Sequence, residues 1–141
     1  MKPTEEQIRL ALNYLLNENH LVIDIGTERA RIASTYSGYI ASFGGSVVQS
    51  GLLGTALMYC NNGDPNNTDR VKANRAKLAK SLHHLLTGND DVPLFEYLKS
   101  NWNYNDPLQN QAITNKVMQL AVALKLAIRS YKLDDTSSEN D

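Results

Sequence analysis

The strongest constraint on the fold is the spacing of apolar residues near the C-terminus. Between Leu108 and Tyr131 they recur in alternating steps of four and three, at Ile113, Val117, Leu120, Leu124, Ala127 and Tyr131. This spacing is typical of a long helix that packs against other helices along one face. Because such a face must be buried, we expect the rest of the chain to supply helical partners.

The same periodicity predicts five further helices. They cover about residues 4–16, 27–47, 51–60, 68–87 and 94–101. Thr4 and Gln7 form a capping box that starts the first of them, and the pair Gly44–Gly45 is expected to break or bend the second. Gly88 stands where a glycine commonly ends a helix.

One segment, residues 21–27, has the composition of a strand. It reads Leu-Val-Ile-Asp-Ile-Gly-Thr and stands alone. A single strand has no partner for its backbone groups, so we interpret the segment as a buried connector or the beginning of a helix. The predicted fold class is all-α, a compact single-domain bundle of five to seven helices. Residues 1–26 form an N-terminal helix and connector, 27–133 the bundle core, and 134–141 an acidic tail that is expected to be disordered.

Length and composition restrict the class of protein. The chain has 141 residues, enough for one domain with one core and too few for a large multidomain enzyme. Its single cysteine, Cys60, excludes an internal disulfide and a cysteine-rich metal site. No apolar run approaches the roughly 18 residues of a membrane span, and the start lacks the apolar core of a secretory signal. We therefore expect a soluble, cytoplasmic protein.

The charges are unevenly distributed along the chain. Fourteen Lys and Arg against fifteen Asp and Glu give a net charge of −1. Residues 134–141 hold four of those acids and no base, so the remainder of the chain carries a net charge of +3. Near-neutrality of the whole chain therefore says little about the surface of the folded part.

No combination of side chains predicts an enzyme. His83 and His84 are adjacent, so on a helix they point about 100° apart and cannot bind one metal together. We interpret them as two solvated histidines. Cys60 has neither a basic neighbour nor a second cysteine and is interpreted as a small buried apolar residue. We expect no catalytic residue, no metal site and no cofactor.

The segment Asp24–Thr27 is a local match to a catalytic motif. It reads Asp-Ile-Gly-Thr after an apolar run, and it resembles the phosphate-binding turn of actin-like and sugar-kinase ATPases. In those proteins the turn joins two strands of a large two-lobed fold, and this chain is too short for two lobes. We favour a helix start capped by Asp24 or Thr27.

Basic residues collect on two predicted helical faces. Between Arg70 and His84 lie five Lys or Arg residues and no acid. Four side chains of this helix share a sector of about 80°, namely Arg70, Lys77, Lys80 and His84. On the last helix, a sector of about 60° is shared by Lys125, Arg129 and Lys132. Such faces suit a phosphate backbone, because each basic contact releases counterions; a merely solvated surface is the alternative.

Arg75 differs from the other bases of its helix. It lies near the apolar stripe rather than on the opposite, basic side. We predict that it is partly buried and that it pairs with a carboxylate.

The middle of the chain has a recognisable pattern. Residues 39–59 read YIASFGGSVVQSGLLGTALMY, an apolar helix, a glutamine, a turn, and then leucine and an aromatic residue. This stretch resembles the signature of the small helical subunit of type III-B CRISPR effector complexes, the Cmr small subunit. The flanking segments 29–33 and 113–131 are also similar, so the resemblance covers about residues 27–133.

The resemblance implies a non-catalytic subunit of an RNA-guided antiviral ribonucleoprotein. In this family, copies stack head to tail as an inner filament that lines the channel for guide RNA and target RNA, and other Cmr subunits cleave the target. The RNA contacts expected here are Arg70, Lys72, Lys77, Lys80, His84, Lys125, Arg129 and Lys132. A stand-alone helical adaptor between proteins is the alternative hypothesis. A small enzyme that uses Asp24 or the histidines is a third.

Overall fold

Five helices and a three-stranded sheet form the described part of the chain. The computed structural model describes residues 2–60, 70–89 and 91–134. The helices are α1 (Glu5–Leu16), α2 (Ser34–Met58), α3 (Arg70–Thr87), α4 (Leu94–Asn101) and α5 (Pro107–Arg129). The strands are β1 (Val22–Ile23), β2 (Arg31–Ala33) and β3 (Lys132–Asp134). The predicted helical bundle is confirmed, and the small sheet is an addition to it.

Helix α5 lies at the centre of the bundle. Asp106 caps its start by accepting a hydrogen bond from the backbone N–H of Gln109 at 3.0 Å, and Pro107 occupies the first turn. Helices α1, α2 and α3 all pack against it. Its buried residues are Val117, Leu120, Ala121, Ala123, Leu124, Ala127 and Ile128. The apolar spacing therefore predicts the buried face correctly, although the helix ends at Arg129 rather than at residue 131.

Helix α1 lies alongside the C-terminal half of α5. The predicted capping box is present, with the Gln7 N–H donating to Thr4 Oγ1 at 3.1 Å and the Thr4 N–H donating to Gln7 Oε1 at 2.9 Å. Gln7 Nε2 also donates to Gln119 Oε1 at 3.1 Å, and the hydroxyl of Tyr131 donates to the carbonyl of Leu15 at 3.3 Å. Gln7 precedes Leu15 in α1, and their partners Gln119, in α5, and Tyr131, just after it, follow in the same order. Helices α1 and α5 therefore run in the same direction.

The sheet corrects the predictions for the segment after α1. Residues 21–27 contain β1 rather than a connector or a helix start, and the helix predicted from residue 27 begins only at Ser34. Strand β1 pairs antiparallel with β2, and β2 pairs in parallel with β3. The partner of β1 is β2, which lies in the stretch predicted as a helix from residue 27, and the partner on the other side of β2 comes from the far end of the chain. The predicted tail also begins inside β3, and residues 135–141 lie outside the described residues.

Helix α2 bends at Gly51, where the sequence predicts the start of a separate short helix, and not at the pair Gly44–Gly45, where it predicts a break or bend. Gly51 has φ 81° and ψ 164°, and it is the residue with non-helical backbone inside the range of α2. This combination of angles is almost restricted to glycine. Gly44 and Gly45 stay helical, and a Cβ added at Gly45 would meet nothing within 4 Å.

Helix α2 carries no charged residue. Among the described helices it is the one that is long and apolar enough to cross a bilayer by length and composition, with a mean hydropathy of 1.2 over its best window. The expectation that no apolar run approaches the length of a membrane span therefore does not hold for α2, although serines and glycines interrupt its apolar residues. One face of α2 packs against α3, α4 and α5, as in the core helix of a helical bundle. Its buried residues are Tyr36, Ile40, Phe43, Val47, Leu52, Thr55 and Ala56.

Replacing Gly51 tests the position of the bend. We expect Gly51→Ala to lower the free energy of unfolding by about 1–3 kcal/mol, because the added Cβ is strained at this φ and ψ. Gly45→Ala is the matched control, and it should raise that free energy by up to about 1 kcal/mol, since alanine favours a helix over glycine. Urea unfolding measures both, and a loss of equal size in the two variants would contradict the assignment.

Candidate nucleic-acid interface

The predicted basic face of α3 meets acids from other parts of the chain. Lys77 is exposed, whereas Lys80 is half-buried. Lys80 lines a polar cleft of about 500 Å³ together with Glu18, His20 and Asp91. These carboxylates come from the segments after α1 and before α4, so the acid-free run of α3 does not reveal them. Negative charge beside Lys80 disfavours a phosphate in this cleft.

The other predicted residues of α3 do not extend this face. His84 is half-buried, and its ring centroid lies 4.7 Å from that of Tyr14. It therefore belongs to the packing of α3 against α1. The side chains of Arg70 and Lys72 lie outside the described part of the structure. Of the predicted α3 contacts whose side chains are described, Lys77 is the exposed one.

Arg75 is held by aromatic rings between α2 and α3. Its guanidinium carbon lies 5.8 Å from the ring centroid of Tyr39 and 5.4 Å from that of Tyr59, which are cation–π distances. Arg75 is half-buried, as predicted. Its carboxylate partner stays a prediction. The aromatic contacts make Arg75 part of the joint between two helices rather than part of an open surface.

The tyrosines around Arg75 are also parts of this joint. The hydroxyl of Tyr36 donates to Asn74 Oδ1 at 3.2 Å, and burial, with a smaller contribution from Tyr39, raises the pKa of Tyr36 to about 12. Burial also raises the pKa of Tyr59, while the positive charge of Arg75 acts in the opposite direction. The hydroxyl of Tyr59 donates to the carbonyl of Tyr39 at 3.0 Å. These buried rings hold α2 against α3 and are not available to stack on bases.

The raised pKa of Tyr36 makes stability depend on alkaline pH. An unfolded tyrosine loses its proton near pH 10, and folded Tyr36 near pH 12. Protonated Tyr36 therefore contributes its full stabilisation to the folded state below pH 10, and this contribution is lost as the pH rises to about 12. We expect Tyr36→Phe to reduce the fall of Tm between these values in thermal unfolding. Tyr104→Phe controls for removing an exposed phenol, and an equal reduction in both variants would contradict the prediction.

The predicted basic residues of α5 lie on two different elements. Lys125 is half-buried on α5, and Arg129 is exposed at its last residue. Lys132 is not on the helix, which corrects the prediction of one helical face. It is the first residue of β3, where it is exposed and pairs in register with Arg31. The rotation of 100° per residue, which places Lys132 on the same face as Arg129, does not apply to Lys132, because α5 ends at Arg129 and the next two residues connect it to β3.

Arg31 forms ion pairs with two carboxylates at the sheet. Its Nη1 lies 2.6 Å from Asp24 Oδ2, and its Nε lies 2.7 Å from Asp134 Oδ2. The hydrogen bonds to Asp24 and then to Asp134 raise the pKa of Arg31. Both carboxylates are thus engaged within the protein. Arg31 and the two carboxylates together carry a net charge of −1, and Arg129 and Lys132 add exposed positive charge in the same part of the chain as Asp134.

A further arginine, not predicted as a contact, lies at the same end of the sheet. Arg29 is exposed just before β2. Because β2 and β3 are parallel, the residues that precede each strand lie at the same sheet end. Arg29 therefore belongs to the same sheet end as Arg129 and Lys132, and we call these three residues the sheet-end patch. A partner strand from the far end of the chain brings them together, so no local sequence signal indicates this cluster.

The histidines and the Asp24–Thr27 segment take structural positions. His83 is buried rather than solvated. Its Nδ1 lies 3.0 Å from the carbonyl oxygen of Val92, which gives the buried ring a hydrogen-bond partner. The segment Asp24–Thr27 lies in the connection between β1 and β2 and not at a helix start. Cys60 is half-buried. Within residues 2–60, 70–89 and 91–134, no group of three or more His, Cys, Asp or Glu side chains is placed to hold a metal ion.

Comparison with known proteins finds no relative of this chain. No family model, no curated protein and no solved structure matches the chain. The function is therefore inferred from the residues and their geometry.

Proposed function

We propose that this protein is a non-catalytic structural subunit of a type III-B CRISPR ribonucleoprotein, an RNA-guided antiviral complex of the cytoplasm. Copies of the chain stack as an inner filament beside the other subunits of the Cmr complex and help to hold guide RNA and target RNA. The resemblance of residues 39–59 supports the class of protein. The helical bundle is compatible with it, and the sheet-end patch supports the contact with RNA.

The observation that carries the RNA contact is the charge balance at the sheet end. Arg29, Arg129 and Lys132 are exposed, while Asp24 and Asp134 are bound to Arg31. Four bases, including Arg31, against the three acids Asp24, Glu28 and Asp134 leave a small excess of positive charge at this end. Such an excess attracts a phosphate backbone, and each basic contact releases counterions. Such contacts hold a nucleic acid in place without reading its sequence. A subunit that accepts any guide RNA needs this kind of contact.

The small size of the patch fits a subunit that works inside an assembly. Three phosphate contacts predict a slope of about −2 to −3 for the logarithm of affinity against the logarithm of salt concentration. That is a modest dependence compared with proteins that capture nucleic acid alone. Repetition of the patch along a filament raises the overall affinity through effective concentration.

Charge reversal at the patch tests the proposed RNA contact. We expect Arg129→Glu/Lys132→Glu to weaken binding of a guide–target duplex about tenfold or more at low salt, because two phosphate contacts are lost and two repulsive charges are added. Lys116→Glu, an exposed base elsewhere on α5, is the matched control. Fluorescence anisotropy at several salt concentrations measures the affinity and its slope.

The same titration separates the two predicted basic faces. Lys77→Glu/Lys80→Glu should have a smaller effect than the change at the sheet end, because Glu18 and Asp91 already lie beside Lys80. A larger loss in this variant would move the interface to α3. Absence of RNA binding even when the other Cmr subunits are present would contradict the proposed function.

An adaptor between proteins is the second candidate function. It is favoured by the exposed apolar side chains of Tyr104, between α4 and α5, and Leu108, in the first turn of α5, because such side chains are typical of a protein interface. An adaptor with solvated bases predicts no salt-dependent binding of RNA, so the anisotropy titration distinguishes the two candidates.

A further inference from the structure

A groove lies between the second half of α1 and the last turn of α3, and we call it the α1–α3 groove. Its volume is about 350 Å³, and its apolar walls are Leu10, Leu85 and Leu86. The rings of Tyr14 and His84, whose centroids are 4.7 Å apart, line it as well. Since an apolar cavity of about 150 Å³ holds benzene, this groove has room for an aromatic ring and a short arm. Pockets of this volume are typical of sites for small molecules.

The tyrosine ring at the α1–α3 groove is held in place before any ligand arrives. Tyr14 is buried, and its hydroxyl lies 2.8 Å from Ser81 Oγ. Because the Ser81 hydroxyl donates its own proton to the carbonyl of Lys77 at 3.0 Å, it accepts the proton of Tyr14. A ring fixed in this way loses little conformational entropy when a ligand packs on it.

The charges beside the α1–α3 groove favour a positively charged ligand. Glu18 lines the groove, and it also lines the neighbouring polar cleft together with His20, Lys80 and Asp91. With the histidine neutral, two acids against one base give that cleft a net charge of −1. None of the described residues that line the groove itself is a Lys or an Arg. A cation therefore meets a carboxylate here and no competing base.

The last turn of α3 adds partial negative charge to the groove. Gly88 has a φ of 91°, and its N–H donates to the carbonyl of His84 at 2.7 Å, which ends the helix. The next amide, that of Asn89, donates to a side-chain atom, Thr87 Oγ1, at 3.3 Å. The last carbonyl groups of a helix lack partners within that helix, and its C-terminus carries partial negative charge. Because Thr87 and Gly88 line the groove, this charge adds to that of the carboxylate.

We propose that the α1–α3 groove binds a small arylalkylamine, an aromatic ring that a short arm joins to a primary ammonium group. The ring packs against Tyr14 and Leu85, and the ammonium group pairs with the carboxylate of Glu18. An anion of the same shape is disfavoured, because it meets that carboxylate and the C-terminus of α3. This binding activity is independent of the proposed RNA contact, since the groove and the sheet-end patch share no residue.

The small apolar area of the groove favours a small molecule over a protein partner. A stable protein interface has roughly 20–30 residues on each side, with an apolar core inside a polar rim. Here Asn13 and Asn17, one turn apart on the α1 side, and Glu18 border the apolar walls directly. The polar side chains therefore enclose an apolar area that suits a single ring.

Titration with phenethylamine tests the proposed site. At pH 8 an ordinary histidine is neutral and an alkylamine keeps its charge. We expect phenethylamine to shift the backbone amide NMR signals of residues 10–18 and 84–88. We also expect it to bind about tenfold or more tightly than phenylpropionate, an anion of similar shape, because one unit charge changes from attraction to repulsion. Equal or tighter binding of phenylpropionate, or shifts confined to other residues, overturns the proposal.

Two substitutions at the groove test the place of the ammonium group. Asn13 is exposed and lines the groove, so Asn13→Lys introduces a competing ammonium group without changing the core. It should weaken binding of phenethylamine about tenfold or more, whereas Asn13→Gln, the matched control, keeps it. Glu18→Gln should weaken binding about threefold to tenfold, as expected for a charged hydrogen bond near the surface. Glu28→Gln, at an exposed acid elsewhere, should leave it unchanged.

Thermal unfolding of each variant without ligand shows whether its fold is intact. Unchanged affinity in a folded Asn13→Lys variant contradicts the assigned place, and equal losses in Glu18→Gln and Glu28→Gln contradict the assigned ion pair. Arg129→Glu/Lys132→Glu should bind phenethylamine like the unchanged protein. Failure of the RNA contact and failure of the amine site are therefore distinguishable.

Two further measurements distinguish other occupants of the groove. A blocked phenylalanyl-lysine dipeptide carries the same ring and charge on a peptide backbone. Tighter binding of this dipeptide than of phenethylamine would assign the groove to a peptide segment. A change of oligomeric state in sedimentation when phenethylamine is added would assign it to a second copy of the chain. Either outcome overturns the proposal, whereas weaker binding of the dipeptide and unchanged sedimentation support it.

Discussion

Helix α5 has an apolar face along most of its length, and the other helices are arranged so that this face is kept from water. Helices α1, α2 and α3 all contact it, and side chains such as Leu120 and Leu124 are completely or almost completely buried. Burial of each leucine of this kind contributes about 1.5–3 kcal/mol. The remaining elements, α4 and the sheet, are positioned by helices that already pack on α5.

The sheet then determines which charges come together. Strand β3 follows directly from α5 and pairs with β2. That pairing places Arg29 at the same sheet end as Arg129 and Lys132, and it brings Arg31 within ion-pair distance of Asp134. Without β3 the same bases would be scattered over a loop and a helix end. The candidate RNA interface is thus a product of backbone pairing more than of a helical face.

Prediction from the sequence succeeds where the information is local and periodic. The buried face of α5, the capping box of Thr4 and Gln7, and the helix that ends near Gly88 depend on residues a few positions apart. The pairing of β2 with β3 joins residues about a hundred positions apart. The partner of the strand at residues 21–27 is the nearby β2, which is missed because it lies in a stretch whose spacing predicts a helix. The acids beside Lys80 likewise come from outside α3. The sequence predicts a helix start at Gly51 but a bend at Gly44–Gly45, because composition alone does not show which glycine adopts a left-handed φ.

The parallel pairing of β2 with β3 has a consequence for the order of folding during synthesis. Strand β2 and the preceding arginine leave the ribosome early, but their partner strand is among the last described residues of the chain. Loops this long close late, after local helices have formed. A copy that is incomplete or truncated before residue 132 therefore has no sheet-end patch. Under the proposed function, the RNA contact would select for copies whose synthesis and folding have been completed.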